Sequence, residues 1–199
     1  MNYPKTILNL IESFKKLPGI GEKTAERLAL AALNLDEEDI EIFSSSLKNG
    51  KTKIKKCEKC GSLTEETYCN ICEDPKRDNS TLCVVEECKN VIQFEKVGIF
   101  KGKYHVLGAL ISPLDGINPE NINLNSLIKR IEDESIAEII LAIKPSIEGE
   151  TTALYIRKML EGKDIKITKI AHGIPMGADI DYIDPLTLEI AMEDRTTIS

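Results

Sequence analysis

Two closely spaced pairs of cysteines restrict the fold more than any other feature of this 199-residue chain. The segment CEKCGSLTEETYCNIC places Cys57 and Cys60 in one CxxC turn, and Cys69 and Cys72 in a second turn after eight intervening residues. Each turn directs two sulfur atoms to one point, and two turns complete a tetrahedron around a soft ion such as zinc. Four thiolates leave no open coordination position, so we predict one structural Zn²⁺ per chain.

Disulfide bonds and CxxC redox chemistry are the alternatives to zinc at these cysteines. A reducing cytosol disfavours disulfides, and redox chemistry requires only one CxxC pair. The remaining cysteines are not predicted ligands: Cys83 lies in an apolar run, as a small buried hydrophobe would, and Cys88 has no assigned role. His105 and His172 are far from the cysteines in sequence, and we expect both to be structural.

The segment LPGIGEKTAERLA, residues 17–29, predicts a helix–hairpin–helix. One helix ends at Leu17, a tight turn runs from Pro18 to Gly21, and a second helix begins at Glu22 or Lys23. Glycines in the turn permit left-handed backbone angles and let a partner approach closely, because they have no Cβ. The free amides and the positive dipole end of the second helix then form a site for an anion.

Two cations lie one turn apart just inside that second helix. Lys23 and Arg27 share a face opposite the apolar side of the helix. A phosphate held by the turn amides and these cations is bound without reading base edges, so we expect sequence-independent, salt-sensitive DNA binding. The alternative is a plain helical hairpin whose charge is diluted by Glu22 and Glu26. The predicted DNA-binding residues are Gly19, Gly21, Lys23, Thr24 and Arg27.

The charges of this chain are distributed unevenly. The net charge is −7, yet residues 1–56 hold 10 Lys and Arg against 8 Asp and Glu, which gives +2. The other residues hold 16 basic and 25 acidic side chains, which gives −9. A basic N-terminal portion is compatible with phosphate binding. The lysine run KNGKTKIKKCEKC taken alone fits a solvated face equally well.

Apolar spacing predicts helices in the N-terminal part of the chain and strands further on. Residues 4–47 have helical spacing, and Asp36 opens a segment that Asn49-Gly50 is predicted to stop. From Thr81 onward, β-rich runs alternate with helical runs, which favours a mainly parallel sheet covered on both faces. The predicted strands are TLCVVE, HVLGALI, EIILAIK and KITKIA. The predicted helices are LNSLIKRIEDE, EGETTALYIRKMLEG and LTLEIAMEDR, the last with Asp184 as N-cap and Pro185 at N1.

These features, in this order, resemble one protein family. The hairpin and the four cysteines are followed by TLCVVEE, YHVLGALISPLDGI, EGETTALYI and GIPMGADIDYID, and together they resemble the RecR family of bacterial recombination mediators over essentially the whole chain. The resemblance implies an α+β chain of several parts. A helix–hairpin–helix domain takes residues 1–50 and a small C4 zinc knuckle 51–80. An α/β Toprim domain takes 81–175, and a C-terminal helical extension with oligomer contacts takes 176–199.

The resemblance also implies a function and partners. It implies a ring-like homo-oligomeric clamp, such as a tetramer, that binds DNA in recombinational repair. RecO and RecF are the implied protein partners, which help to load RecA onto single-stranded gaps. The N-terminus MNYPKTILNL lacks the pattern of a signal peptide, and no apolar run approaches the ~20 residues that span a membrane. We therefore expect a cytoplasmic protein without membrane contact.

Toprim enzymes hold Mg²⁺ with a Glu after the first strand and a DxD pair after a later strand, because phosphoryl chemistry requires several hard oxygen ligands. Glu86 matches the first acid, whereas Lys144-Pro145-Ser146 stands where the pair belongs. Asp179 and Asp181 have the spacing of a pair but follow a different strand. The chain departs from the RecR pattern at Lys144, where Asn is usual, and at Asn90, where Asp is usual. We expect no Toprim catalysis; the alternative is a Mg²⁺-dependent primase-like or nuclease-like enzyme.

An exposed acidic and aromatic set is predicted near the strand ends of the Toprim sheet. Strand ends of open α/β sheets are favoured binding positions, and by resemblance RecO is the expected partner there. The alternative is a solvated acidic surface on which acids favour a helix N-terminus. The predicted partner residues are Glu86, Glu148, Glu150, Tyr155 and Arg157.

Overall fold

The computed structural model describes residues 3–171, 173–195 and 197, which form two compact units, Met1–Ile54 and Lys55–Ser199. The zinc-knuckle cysteines belong to the same unit as the sheet that follows them. The boundaries of the four-part division stay a prediction.

The first unit contains three helices: α1 (Lys5–Lys15), α2 (Glu22–Ala32) and α3 (Glu37–Lys53). Helices α1 and α2 pack through Ile11, Ala25 and Ala29, which are buried. The two alanines let the helix backbones approach closely, and larger side chains such as Phe14 surround them. The predicted apolar face of α2 is therefore confirmed at its buried centre.

Helix α3 differs from the sequence prediction at its end. Asp36 caps its start by accepting a hydrogen bond of 2.8 Å from the Asp39 amide, as predicted. The predicted stop at Asn49-Gly50 is wrong, because the helix continues to Lys53. Lys51 and Lys53, in the last turn, interact favourably with the negative end of the helix dipole. This interaction offsets the cost of Gly50 inside the helix. No residue of α3 is buried, and its apolar side chains are exposed within this chain.

The second unit begins with a zinc knuckle, defined here as β1 (Lys55–Lys56), β2 (Leu63–Thr64), α4 (Asn70–Glu73) and their connections. Strands β1 and β2 are antiparallel. The chain then continues through β3 (Thr81–Val85), α5 (Cys88–Val97), β4 (Lys103–Val106), α6 (Leu124–Asp133), β5 (Glu138–Ala142), α7 (Ile147–Met159), β6 (Lys166–Lys169) and α8 (Pro185–Glu193).

Strands β3 to β6 form one parallel sheet with the order β4-β3-β5-β6. Along β3, Leu82 and Val84 pack into one core layer, and Cys83 and Val85 pack into the layer on the opposite face. Both faces of the sheet are therefore covered. The predicted parallel Toprim-like sheet is confirmed.

Two segments around β4 differ from the sequence analysis. The run HVLGALI contributes only His105 and Val106 to the strand, which begins earlier, at Lys103. The chain leaves the strand through Gly108, whose φ of 88° lies in the left-handed region. Helix α5 was not predicted, although Gly98 with φ 73° ends it in the manner of a C-terminal glycine.

The outer edge of β4 is covered by the zinc knuckle and by α6. The Val106 amide donates to the Cys60 carbonyl at 2.7 Å, and the Val106 carbonyl accepts from Asn123 Nδ2 at 3.1 Å. Arg130 Nη1 donates to the Tyr104 carbonyl at 2.7 Å. Backbone groups that an edge strand would otherwise leave open are thus satisfied within the chain.

Gly149 lies where α7 approaches the end of β5 most closely. A Cβ at this position would stand 2.0 Å from the Lys144 carbonyl oxygen. At Gly50 in α3, a Cβ would have no described atom within 4 Å other than those of its own helix backbone and adjacent residues. We expect Gly149→Ala to lower the free energy of unfolding by about 1–3 kcal/mol, because the clash displaces backbone. Gly50→Ala, the matched helical control, should raise it by up to about 1 kcal/mol. Denaturant unfolding followed by circular dichroism measures both, and an equally stable Gly149→Ala protein would contradict the close approach.

Candidate nucleic-acid interface and metal centre

The turn between α1 and α2 leaves open space in front of the second helix. Gly19 has φ 81°, which only glycine adopts without strain, and the Ile20 amide donates to the Leu17 carbonyl at 3.2 Å to close the turn. Gly21 has an extended backbone, φ −86°, so its conformation does not require glycine. Apart from the adjacent residues, no atom in the described part of the chain lies within 4 Å of a Cβ at either glycine. The absence of a side chain at Gly21 therefore keeps this surface accessible.

The N-terminus of α2 faces that open space without a side-chain cap. Gly21 is the N-cap, and the first backbone bond of the helix runs from the Ala25 amide to the Gly21 carbonyl at 2.9 Å. The amides of Glu22, Lys23 and Thr24 precede that bond, as the first amides of any helix do. They add to the positive end of the helix dipole, which suits a phosphate oxygen.

The side chains of α2 separate the cations from the acids. Lys23 and Arg27 are exposed, and Thr24 is half-buried. Lys15 Nζ forms an ion pair of 2.7 Å with Glu22 Oε2. The Tyr3 hydroxyl donates a hydrogen bond of 2.6 Å to Glu26 Oε1. Sequence reasoning missed both contacts, because their partners lie seven or more positions away.

The pKa values of the two partners reflect these contacts. Hydrogen bonds to Glu12 and Glu22 raise the pKa of Lys15, so that its ammonium stays charged. The hydrogen bond to Glu26 raises the pKa of Tyr3, so that its hydroxyl keeps the proton it donates.

The four cysteines of the zinc knuckle converge as predicted. Cys57, Cys60, Cys69 and Cys72 are buried, and their sulfur atoms all lie within 4.8 Å of one another. A tetrahedral zinc site with Zn–S bonds of about 2.3 Å places its sulfurs about 3.8 Å apart, and the Cys60 and Cys69 sulfurs are 3.5 Å apart. The spacing fits one zinc ion.

Local hydrogen bonds prepare these sulfurs for a cation. The Cys69 amide donates to Cys57 Sγ at 3.3 Å, and the Ser62 amide donates to Cys60 Sγ at 3.4 Å. Hydrogen bonds with the Cys60 thiol and then the Cys72 thiol lower the pKa of Cys69 below the ordinary value of a thiol. A buried cluster of four sulfurs matches the chemistry of a soft metal, which binds thiolates.

The remaining cysteines and His105 have structural positions. Burial raises the pKa of Cys83 to about 12, as expected for a small core residue. Cys88 lies beside the knuckle, with Sγ 3.5 Å from the Gly61 carbonyl oxygen, outside the group of four. His105 is fully buried with Nε2 2.7 Å from the Asn123 carbonyl oxygen, and burial lowers its pKa to about 4. His172 lies outside the described residues.

A second candidate site lies at the carboxyl ends of β3 and β5. We call it the strand-end site and define it by Glu86, Lys144, Ser146 and Glu148. Lys144 Nζ is 3.9 Å from Glu86 Oε1. Ser146 caps α7 by accepting from the Gly149 amide at 3.2 Å and donates to Glu148 Oε2 at 2.7 Å. That hydrogen bond, with smaller contributions that include the Lys144 charge, lowers the pKa of Glu148.

The strand-end site does not fit a Toprim magnesium ion. An ammonium group stands beside Glu86, where Mg²⁺ would require further oxygen ligands. Asn90 is occupied in capping α5, where its Oδ1 accepts from the Glu87 amide at 2.8 Å. Asp179 lies in a separate turn, Ile180–Tyr182, and caps it by accepting from the Asp181 amide at 3.3 Å.

The structure brings together only part of the predicted partner surface. Glu86 and Glu148 both lie near Lys144, and Glu150 forms an ion pair of 3.1 Å with Lys169. The whole set was expected to be exposed, but Glu86, Glu148 and Tyr155 are half-buried, and Tyr155 packs against the sheet core. Arg157 is exposed further along α7, two turns beyond Glu150.

Four protein-family models match consecutive parts of the chain. They describe a RecR helix-hairpin-helix (residues 7–50), a RecR zinc finger domain with four cysteines (54–74), a Toprim domain (80–171) and a RecR C-terminal segment (173–196). The chain belongs to the RecR family. Its RecR domains support a role in recombinational repair and the binding of DNA. The RecR zinc-finger match and the four converging sulfurs together assign one structural zinc to Cys57, Cys60, Cys69 and Cys72.

The RecR domain order also confirms the α+β fold class predicted above, with helix–hairpin–helix, zinc finger and Toprim parts in sequence. Of the helices in the described part of the chain, none combines the length and apolar composition that a membrane crossing requires.

Metal analysis of reduced protein purified without added zinc should give one zinc per chain. We expect Cys72→Ser to lose that zinc and to destabilise the knuckle, because the metal supplies folding free energy to this segment. Cys88→Ser is the matched control: its sulfur faces a carbonyl oxygen and not the other four, so zinc content should be unchanged. Folded, reduced wild-type protein without zinc would contradict the assignment.

Proposed function

We propose that this RecR-family chain is a non-enzymatic DNA clamp of recombinational repair. It acts with RecO and RecF in the cytoplasm and helps to load RecA onto single-stranded gaps. The observation that carries the DNA-binding part is the uncapped N-terminus of α2, which has open space in front of it and exposed Lys23 and Arg27 beside it. The cytoplasmic assignment is supported by the four reduced thiolates that zinc requires.

The proposed DNA contact is made by Lys23, Arg27, Thr24 and the backbone of Gly19 and Gly21. Backbone amides and flexible cations can bind phosphate oxygens of any sequence, so the interface positions DNA without specifying it. Two cations per chain neutralise few phosphates, and non-specific affinity depends on that number. A single hairpin is therefore a weak site.

Homo-oligomerisation compensates for that weakness. Several chains in a ring contact one DNA molecule at once, which can raise the avidity ~10²-fold or more when the geometry permits. Exposed apolar side chains on α3, such as Ile42 and Leu47, and around α8, such as Tyr182 and Leu186, support contacts between copies. We propose that the chain has four domains, residues 1–50, 51–80, 81–175 and 176–199, and that the last of these contacts other copies in the oligomer.

The strand-end site is proposed to bind a protein partner, with RecO as the candidate. The charges of Glu86 and Glu148 are only partly balanced by Lys144, and Glu150 and Arg157 extend the charged surface along α7. Tyr155 contributes only the part of its ring that the core leaves accessible. Lys144 in place of an acid supports a binding role here over Toprim catalysis.

Substitution of the two cations tests the DNA interface. Lys23→Glu and Arg27→Glu should each weaken DNA binding by at least about tenfold and reduce its salt dependence, because phosphate contacts release counterions. Lys5→Glu makes the same charge change at the far end of α1, about 15 Å along that helix from its last turn, and should have little effect. Gel shift measures binding, and light scattering measures the oligomer. Full-strength binding by a folded double variant would move the DNA site elsewhere, and a strictly monomeric wild type would remove the clamp.

Cleavage and primer-synthesis assays test the absence of Toprim catalysis. With Mg²⁺ or Mn²⁺ and either single- or double-stranded DNA, we expect no turnover, because the Lys144 ammonium lies beside the carboxylates of Glu86 and Glu148 and opposes the binding of a divalent cation. Turnover that vanishes in Glu86→Gln would show that another carboxylate completes the site, and it would favour the primase-like or nuclease-like alternative.

A further inference from the structure

Two acids stand next to the two cations of the proposed DNA interface. In α2, Glu22 directly precedes Lys23, and Glu26 directly precedes Arg27. A carboxylate in the first turn of the helix favours the helix dipole, yet it repels a phosphate that approaches the same end. The position of these two carboxylates therefore affects how strongly the hairpin attracts DNA.

Each carboxylate is held by a residue from the N-terminal part of the same unit. Lys15, in the last turn of α1, places Nζ 2.7 Å from Glu22 Oε2 and 2.8 Å from Glu12 Oε1. The Lys15 side chain is 33% exposed, less than either acid, so its ammonium is partly covered where it bridges the two carboxylates. Tyr3, just before α1, donates its hydroxyl hydrogen to Glu26.

The positions of the acids and cations along α2 agree with these contacts. Residues 22 and 26 lie one turn apart, as residues 23 and 27 do, and successive positions are rotated by about 100°. The acids therefore form one row that contacts Lys15 and Tyr3, and the cations form a neighbouring row that has no such contact in the described residues. Glu22 is exposed like the two cations, and Glu26 is half-buried. The amides at the start of α2 remain available to a ligand.

We propose that Lys15 and Tyr3 are positioning residues of the DNA interface, which hold the carboxylates of Glu22 and Glu26 against the α1 side and leave Lys23 and Arg27 facing the phosphates. The inference rests on the proposed DNA-binding function. In it Lys15 contacts no phosphate. Its contribution is to neutralise and withdraw a charge that would otherwise oppose binding.

A double-substitution cycle tests this assignment in the full-length protein with single-stranded oligonucleotides. Lys15→Met removes the ammonium and frees Glu22, and it should weaken binding by about 3- to 10-fold at low salt. Glu22→Gln in the same chain removes the freed charge and should restore affinity to the wild-type level. Tyr3→Phe should cause a smaller loss, which Glu26→Gln should likewise reverse.

Glu12→Gln is the matched control, because it removes the other carboxylate that contacts Lys15 but leaves α2 intact. Its affinity should equal that of the wild type. Persistent weak binding by Lys15→Met/Glu22→Gln, with an unchanged melting temperature, would mean that Lys15 contacts phosphate directly and would overturn the proposal. If Lys15→Met and Glu22→Gln lowered the DNA affinity and the melting temperature equally, the ion pair would have only a structural role. That result would also overturn the proposal. Failure of the proposed function itself is separate: Lys23→Glu would then bind DNA normally.

Discussion

Two hydrogen bonds, from the Val106 amide to the Cys60 carbonyl and from Lys103 Nζ to the Cys72 carbonyl, join the metal centre to the edge of the sheet. The knuckle has strands of two residues and a buried cluster made only of its four cysteines, with Ile71 partly buried beside them. Such a segment cannot stabilise itself by apolar burial, so zinc must fix its shape. Once fixed, it presents the Cys60 carbonyl to the outer edge of β4.

Close packing at the other side of the sheet places a different constraint on the strand-end site. Helix α7 begins so near the end of β5 that only glycine fits at position 149. Ser146 is thereby held where it caps the helix and binds Glu148, and Lys144 lies beside Glu86. At this edge of the parallel sheet the Lys144 ammonium therefore partly balances the charge of Glu86.

Sequence reasoning succeeded where a local pattern has one physical meaning. Paired CxxC turns predicted the metal centre, and Asp184 before Pro185 predicted the start of α8, where Asp184 accepts a hydrogen bond from the Thr187 amide. It failed where local rules compete or contacts are distant. Gly50 suggested a helix end, but flanking lysines and an exposed position let α3 continue to Lys53.

Contacts between distant residues had no signal in the sequence. The ion pair between Lys15 and Glu22 depends on how α1 packs against α2. Residue spacing within one helix cannot predict such a contact. Likewise, the half-burial of Tyr155 follows from the packing of α7 on the sheet, which local composition does not specify. The hairpin residues that we propose to bind DNA come from a local sequence motif, whereas the contacts of the neighbouring acids with Lys15 and Tyr3 have no such signal.

The covering of β4 has a consequence for the behaviour of this protein when metal is scarce. Without an ordered knuckle, the Val106 amide loses its partner within the chain, although Asn123 and Arg130 still cover the carbonyls of Val106 and Tyr104. An uncovered donor on an edge strand can pair with another strand. Such pairing joins copies through backbone bonds in no fixed register, unlike a closed ring of subunits. We therefore expect removal of zinc to lower the solubility of this chain, because the ion that shapes the small knuckle also keeps one backbone donor of the edge strand covered.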